Sequence, residues 1–232
     1  LRYTRNLSTR STLETQLLQR SSSSDTFTDN KRPGQSSQFT QSQTRSESVL
    51  RSSLRFKQSG RLTVEFAGEG AFNTFDTTAL ETAAGLARPL PAADVEVTEG
   101  RGEIGATVTW KPNGTYGVTA GLKAETSTLR ATGDVNLQRD FTYAKPRIIL
   151  TWSPRKNTQL RLRSEYEVSQ ISFSNFAAAV EYNGVVRAGN PGLRPRRAQV
   201  TEAVLEQQFW TGASLVTTLR HQAIRDLVDT DR

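Results

Sequence analysis

The segment RIILTWSPRKNTQLRLRSEYEV, residues 147–168, contains two alternating runs around a polar break. In the first, Ile148, Leu150 and Trp152 alternate with Arg147, Ile149 and Thr151. In the second, Leu160, Leu162, Ser164, Tyr166 and Val168 alternate with Gln159, Arg161, Arg163, Glu165 and Glu167. Period two marks a β-strand, because successive side chains leave opposite faces of the sheet. The break from Ser153 through Thr158 supplies turn chemistry with its Pro, Asn and short polar residues. The segment therefore reads as a hairpin with one apolar face ending in aromatics and one charged face.

The same unit recurs on both sides. Ala203, Leu205, Gln207 and Phe209 share a face of the run 198–210. Thr211-Gly212-Ala213 turns it, and Leu215, Thr217, Leu219 and His221 continue on the partner. Upstream, runs at 97–110 and 115–129 flank Lys111-Pro112-Asn113-Gly114, a strong hairpin signal. Runs at 46–57 and 61–72 flank Gln58-Ser59-Gly60, and 1–6 and 10–20 add two more strands. The connections 21–45, 73–95 and 169–194 read as long loops. The first is rich in Ser, Gln and Thr and is expected to be mobile, and 78–87 is compatible with a helical turn. About ten strands result, with short turns at one end and long loops at the other, the asymmetry of outer-membrane barrels. The predicted fold is all-β: an antiparallel up-and-down transmembrane β-barrel segment, incomplete, with residues 1–232 in a single barrel domain.

A soluble antiparallel sandwich also alternates, and three features separate the two. Strands of about 11 residues are long for a soluble sheet but suit a tilted membrane crossing. Charge placement is the second. Taking alternate residues from 50–56, 62–68, 104–110, 116–124, 146–152, 160–168, 203–209 and 215–221 gives 34 positions, none of them charged. With 23% charged residues in the chain, about 8 would be expected. The interleaved positions carry seventeen charges, nine basic and eight acidic. A bilayer enforces such exclusion, since Lys or Arg at its midplane costs roughly 2–4 kcal/mol. Third, Trp110, Trp152, Trp210 and Phe56 all fall beside short turns. Amphipathic rings collect at membrane–water boundaries, so these four are assigned to an aromatic girdle on the periplasmic side. Arg51, Arg55, Arg161, Arg163 and Glu165 are assigned to the lumen. A one-sign constriction would suit an ion-selective pore. The mixed face suits cross-strand pairing, or polar packing against something that fills the barrel, or a solvated interior.

Bulk composition agrees. The 232 residues are only 35% hydrophobic, with a mean hydropathy of −0.54, which fits a sheet apolar on alternate residues. No run of about 18 apolar residues offers a membrane helix. The first residues, Leu1-Arg2-Tyr3-Thr4, carry neither Met nor a signal-peptide pattern and already look like strand, so the chain is expected to start inside a larger protein. A net charge of +7 permits nucleic-acid binding, but the basic residues are scattered, so no nucleic-acid partner is expected. Absence of Cys removes disulfides and thiol chemistry and suits an oxidising compartment. His221 is the single histidine and falls on the apolar series. No ligand-spaced cluster or Ser-His-Asp set stands out. Gly68-Glu69-Gly70 and Gly100-Arg101-Gly102 lie inside strand patterns, without the strand-to-helix context of a phosphate loop. No enzyme, cofactor or metal site is expected.

Residues 187–209, RAGNPGLRPRRAQVTEAVLEQQF, followed by WTGASLVTTLRHQAIRDLVD, add a specific likeness. Gly189-Asn190-Pro191, Leu193 and Pro195 lead into a strand with Glu202. An aromatic-Gly hairpin at Trp210-Thr211-Gly212 follows, and then Ile224, Asp226, Leu227 and Val228. This order resembles the barrel of TonB-dependent outer-membrane receptors, as do 146–152, 157–166 and Phe173, Asn175 and Phe176. The likeness is good over 140–229 and pattern-only before that. Arg196 stands where the family usually has an acidic residue, which removes any contact that acid would make. The resemblance implies a barrel of about 22 strands in the outer membrane of a Gram-negative bacterium, closed by an N-terminal plug domain of the same full-length chain. It implies active transport of a scarce ligand (siderophore, vitamin or glycan), energised by the TonB complex through the N-terminus. Loops 21–45, 73–95 and 172–194 would form the ligand mouth, where Phe173, Phe176, Tyr182 and Arg187 serve equally as ligand contacts or as loop packing. The partners implied are outer-membrane lipid, the plug, the TonB complex and a small-molecule or glycan ligand. A passive porin-like barrel is the alternative, and a soluble extracellular β-rich binding protein a third.

Overall fold

Alternation in the sequence becomes strand pairing in the computed structural model, which describes residues 1–32, 35–176, 179–180, 186–187 and 193–226. The strands are β1 (Arg2–Asn6), β2 (Ser11–Arg32), β3 (Gln35–Lys57), β4 (Leu62–Ala83), β5 (Leu86–Arg88), β6 (Asp94–Trp110) and β7 (Tyr116–Gly133). They continue as β8 (Leu137–Arg155), β9 (Thr158–Val168), the two-residue strands β10 (Ala179–Val180) and β11 (Val186–Arg187), β12 (Arg197–Trp210) and β13 (Ala213–Arg225). One four-residue helix, α1 (Phe173–Phe176), interrupts them. An 11-stranded sheet runs β1-β2-β3-β4-β6-β7-β8-β9-β12-β13, with β5 paired to β4. Its pairings are antiparallel, between strands that follow one another in the chain apart from the small excursions. Ten strands lie on the main path, the expected up-and-down order, and among the described residues the sheet is open.

Register locks the two faces. One row joins Leu13, Leu54, Phe66, Ala106, Leu122 and Pro146 across six strands. Another joins Leu62, Trp110, Val118, Leu150, Leu162, Ala203 and Leu219. A one-residue slip anywhere would carry charges onto this surface, so the apolar pattern itself fixes the pairing. The face stays uncovered: Ile104 is 70% exposed and Leu219 73%. A soluble protein does not leave so broad an apolar surface in water.

Several expected loops are strands. Residues 21–45 pair in continuous register from Ser11↔Phe56 up to Arg32↔Gln35, so the predicted mobile loop is a tall hairpin. Its outward pairs Ser21–Ser46 (3.3 Å) and Ser23–Thr44 (3.5 Å) contact through hydroxyls. The supposed loop 73–95 is mostly the upper part of β4, which reaches Ala83, and the suggested helical turn is strand as far as that residue. Strand β8 runs past Trp152 to Arg155 with a register shift, so the turn before β9 is shorter than expected. Pro33, Gly34, Tyr182, the Gly189-Asn190-Pro191 motif, and Leu227 and Val228 lie outside the described residues.

The main buried apolar cluster lies at one end of the sheet. Phe75, Val95, Val97, Leu129 and Ala131 occupy the charged phase of β4, β6 and β7, but near the long-connection end. Phe176 and Leu193 pack on them, with Ile171 and Phe173 partly buried beside them. The connection after β9 therefore folds onto the charged face of the sheet instead of standing off it as a free loop. Burying two to four such side chains stabilises by about 1.5–3 kcal/mol each, enough to hold the connection down.

Candidate functional site

Three glutamates meet on the inner ladder. Glu69 is paired in register with Glu103, and Glu103 with Glu125. Like charges directly opposite each other on a sheet repel. Diagonal cations resolve this: Arg101 reaches Glu69 at 3.0 Å and Glu125 at 3.6 Å. Lys145 contacts Glu103 and lies 2.8 Å from Glu125. Lys123 holds Glu103 at 2.8 Å. The six side chains form one network spanning β4, β6, β7 and β8, half-buried to buried throughout. Such pairs confer specificity of packing more than net stability, because desolvation offsets attraction.

Gly105 makes room for one member. A Cβ there would sit 2.6 Å from Lys123 Cγ and 3.1 Å from the Leu122 carbonyl, so the lysine stem lies across bare backbone. Gly105→Ala is expected to displace Lys123 from Glu103 and cost about 1–2 kcal/mol by overpacking. Gly100→Ala, where a Cβ meets nothing within 4 Å, is expected to be neutral. Denaturant titration of the folded barrel compares them, and equal costs would refute the packing argument.

The sequence-assigned residues fall into two groups. Arg163 lies 2.7 Å from Glu165 and 3.0 Å from Glu167, and Arg147 is 3.3 Å from Glu165. Arg161 touches Glu202 only at 4.0 Å. These form a second charged group on β8, β9 and β12. Arg55 is distant, on β3, paired with Glu65 at 2.7 Å. Arg51 opposes Glu69 in register and has no ion pair among the described residues. The structure does not bring the five into one site.

Trp110, Trp152 and Trp210 are 50%, 44% and 69% exposed. Trp152 faces Tyr116 in register, and Phe56 meets Phe66 edge-on at 6.4 Å. A bulge between Gln208 and Trp210 leaves both Phe209 and Trp210 outside, their rings 6.0 Å apart. His221 lies outward on the edge strand, opposite Thr201.

A cavity of about 440 Å³ lies on the inner face higher up, between β2, β3, β4, β6 and the start of the connection. Arg20, Arg45, Glu47, Asn73, Glu99 and Phe173 are among its walls. Asn73 donates to Glu99 at 2.8 Å, while its Oδ1 is buried with no partner among the described groups. The sequence reading missed this place because it treated residues 21–45 and 73–95 as loop.

Neither family models nor curated proteins match this sequence. Solved structures do. The chain superposes on the copper transporter OprC with a TM-score of 0.72 at 11% identity, over 97% of its own length and 38% of that chain. It superposes on FpvA of P. aeruginosa, solved bound to a ferric pyoverdine, with a TM-score of 0.61 at 10% identity, over 95% and 32% of the two chains. The unliganded ferric citrate transporter FecA gives 0.60 at 10% identity, over 89% and 31%. The chain has the fold of part of these proteins, an antiparallel up-and-down β-sheet consistent with a stretch of barrel wall. It spans about a third of the length of these structures. At such identities the likeness concerns the backbone, and the side chains of this wall are its own.

Proposed function

We propose that this chain is part of the wall of a TonB-dependent receptor in the outer membrane of a Gram-negative bacterium, importing a scarce ligand past a plug. One observation carries the reading: from β2 to β13, between the short turns and mid-height, the sheet is uncharged and exposed on one face, and carries interleaved charges of both signs, many of them paired, on the other. Lipid accounts for the first face. For the second, a surface of both signs, internally neutralised, is suited to pack against a folded polar domain. A passive pore would gain from a constriction of one sign, and the network of Glu69, Arg101, Glu103, Lys123, Glu125 and Lys145 offers none. In this reading Arg51, Arg55, Arg161, Arg163 and Glu165 face the lumen, and Phe56, Trp110, Trp152 and Trp210 form the periplasmic girdle. Thiolate, thioether and inward imidazole ligands are missing from this segment, so it would not itself hold a soft metal ion.

Deleting the gene and deleting TonB should cause the same growth defect on at least one limiting source of iron, cobalamin or glycan. The full-length protein should show negligible steady conductance in planar bilayers. Large steady conductance together with TonB-independent growth would establish the porin alternative instead.

A further inference from the structure

We propose, resting on the receptor reading above, that the cavity at Arg20, Arg45 and Asn73 binds a neutral sugar unit of the imported ligand. Its volume of about 440 Å³ lies within the usual range for small-ligand pockets, roughly 300–1,000 Å³. Its charges balance: Arg20 and Arg45 against Glu47 and Glu99. Elsewhere on this face Arg55, Arg101, Arg147 and Arg163 each hold a carboxylate, while Arg51, among the described residues, does not. Arg20 and Arg45 hold none among the described residues, although Arg45 lies over the Phe75 ring, 5.0 Å from its centre. Their donors are therefore free to meet a ligand.

The balance selects the ligand's chemistry. A carboxylate or phosphate group would satisfy the arginines but would also face Glu47 and Glu99. A cation would meet the reverse conflict. A hydroxyl donates and accepts at once, so a polyol satisfies guanidinium and carboxylate together. The buried Asn73 Oδ1 lacks a donor, which a hydroxyl supplies. Phe173, half-buried against the apolar cluster, gives the cavity a flat wall for the C–H face of a ring.

Calorimetry on the full-length receptor in detergent tests this with short linear gluco-, xylo- and manno-oligosaccharides. Ferric citrate, a ferric catecholate and cobalamin serve as comparators. At least one oligosaccharide is expected to bind saturably. Asn73→Ala should weaken it about tenfold, and Arg45→Gln, which keeps planar donors but drops the charge, by no more than about threefold. Phe173→Ala, on the connection and outside the sheet ladder, should weaken binding comparably and covers the case in which Asn73→Ala does not fold. The assignment is overturned if no oligosaccharide binds, if only a comparator binds, or if Arg45→Gln abolishes binding. A comparator taken up in a TonB-dependent manner would sink the sugar assignment alone. TonB-independent conductance would sink the receptor reading beneath it.

Discussion

Replacing Leu122 with arginine is expected to prevent most of the full-length protein from inserting, although Leu122 is already 57% exposed. In a water-soluble protein such an exposed substitution would stay within about ±0.5 kcal/mol. Here Leu122 sits near the middle of the outward series 116–124, in register with Ala106 and Pro146 and away from both sheet ends. An arginine there meets hydrocarbon, and the cost is roughly 2–4 kcal/mol at the bilayer midplane. Refolding into phosphatidylcholine vesicles with denaturant titration measures it. The paired control is Thr119→Arg, on the opposite face of β7, whose hydroxyl lies 3.3 Å from that of Thr109. That change should cost less than half as much, because a polar interior solvates the guanidinium. Equal penalties at the two positions would mean that the faces are not solvated differently, and the membrane reading would fail.

The same contrast explains what the sequence could and could not reveal. Between the short turns and the mid-height of the sheet, lipid removes charge from one face and the interior retains it on the other. The rows through Leu54, Phe66, Ala106 and Leu122 were therefore readable from alternation alone, as were the turns at Asn113 and Gly212. Above that height the outside is water and the inside is also polar. Ser21, Ser23, Thr44 and Ser46 are selected by neither face, so period two vanishes and the upper part of the β2–β3 hairpin reads as a long loop. Its strands are held by the backbone ladder itself, which leaves no composition signal. Where the pattern did persist, on β4, β6 and β7, it did so in the opposite phase. Phe75, Val97 and Leu129 are apolar on the inner face because the connection after β9 packs there, and no reading of a single strand anticipates a distant cover. The cavity at Asn73 and Glu99 was lost for the same reason. The ion network was legible as balance but not as geometry. Lys123, Lys145 and three glutamates can be counted on one face, yet which cation bridges which pair depends on the register between strands.

Lys145→Met should be the most damaging single change on the inner face. Lys145 is 15% exposed in its side chain and touches two carboxylates that are 13% and 9% exposed, those of Glu103 and Glu125. Removing the ammonium leaves Glu103 with Lys123 and Glu125 with the longer contact to Arg101. The two glutamates remain opposed in register, now without the cation between them. Breaking one partner out of a buried ionic cluster costs about 3–5 kcal/mol, because the charge left behind has lost both water and counter-ion. The lower end of that range is expected, since each glutamate retains one cation. Adding Glu103→Gln and Glu125→Gln to Lys145→Met should recover most of the loss, as the acids no longer carry uncompensated charge. Denaturant titration of the barrel reads both variants, and the triple variant should cost less than the sum of the separate effects. If the triple variant were no more stable than Lys145→Met, the damage would lie in lost packing of the lysine stem, and the electrostatic account of this network would be wrong.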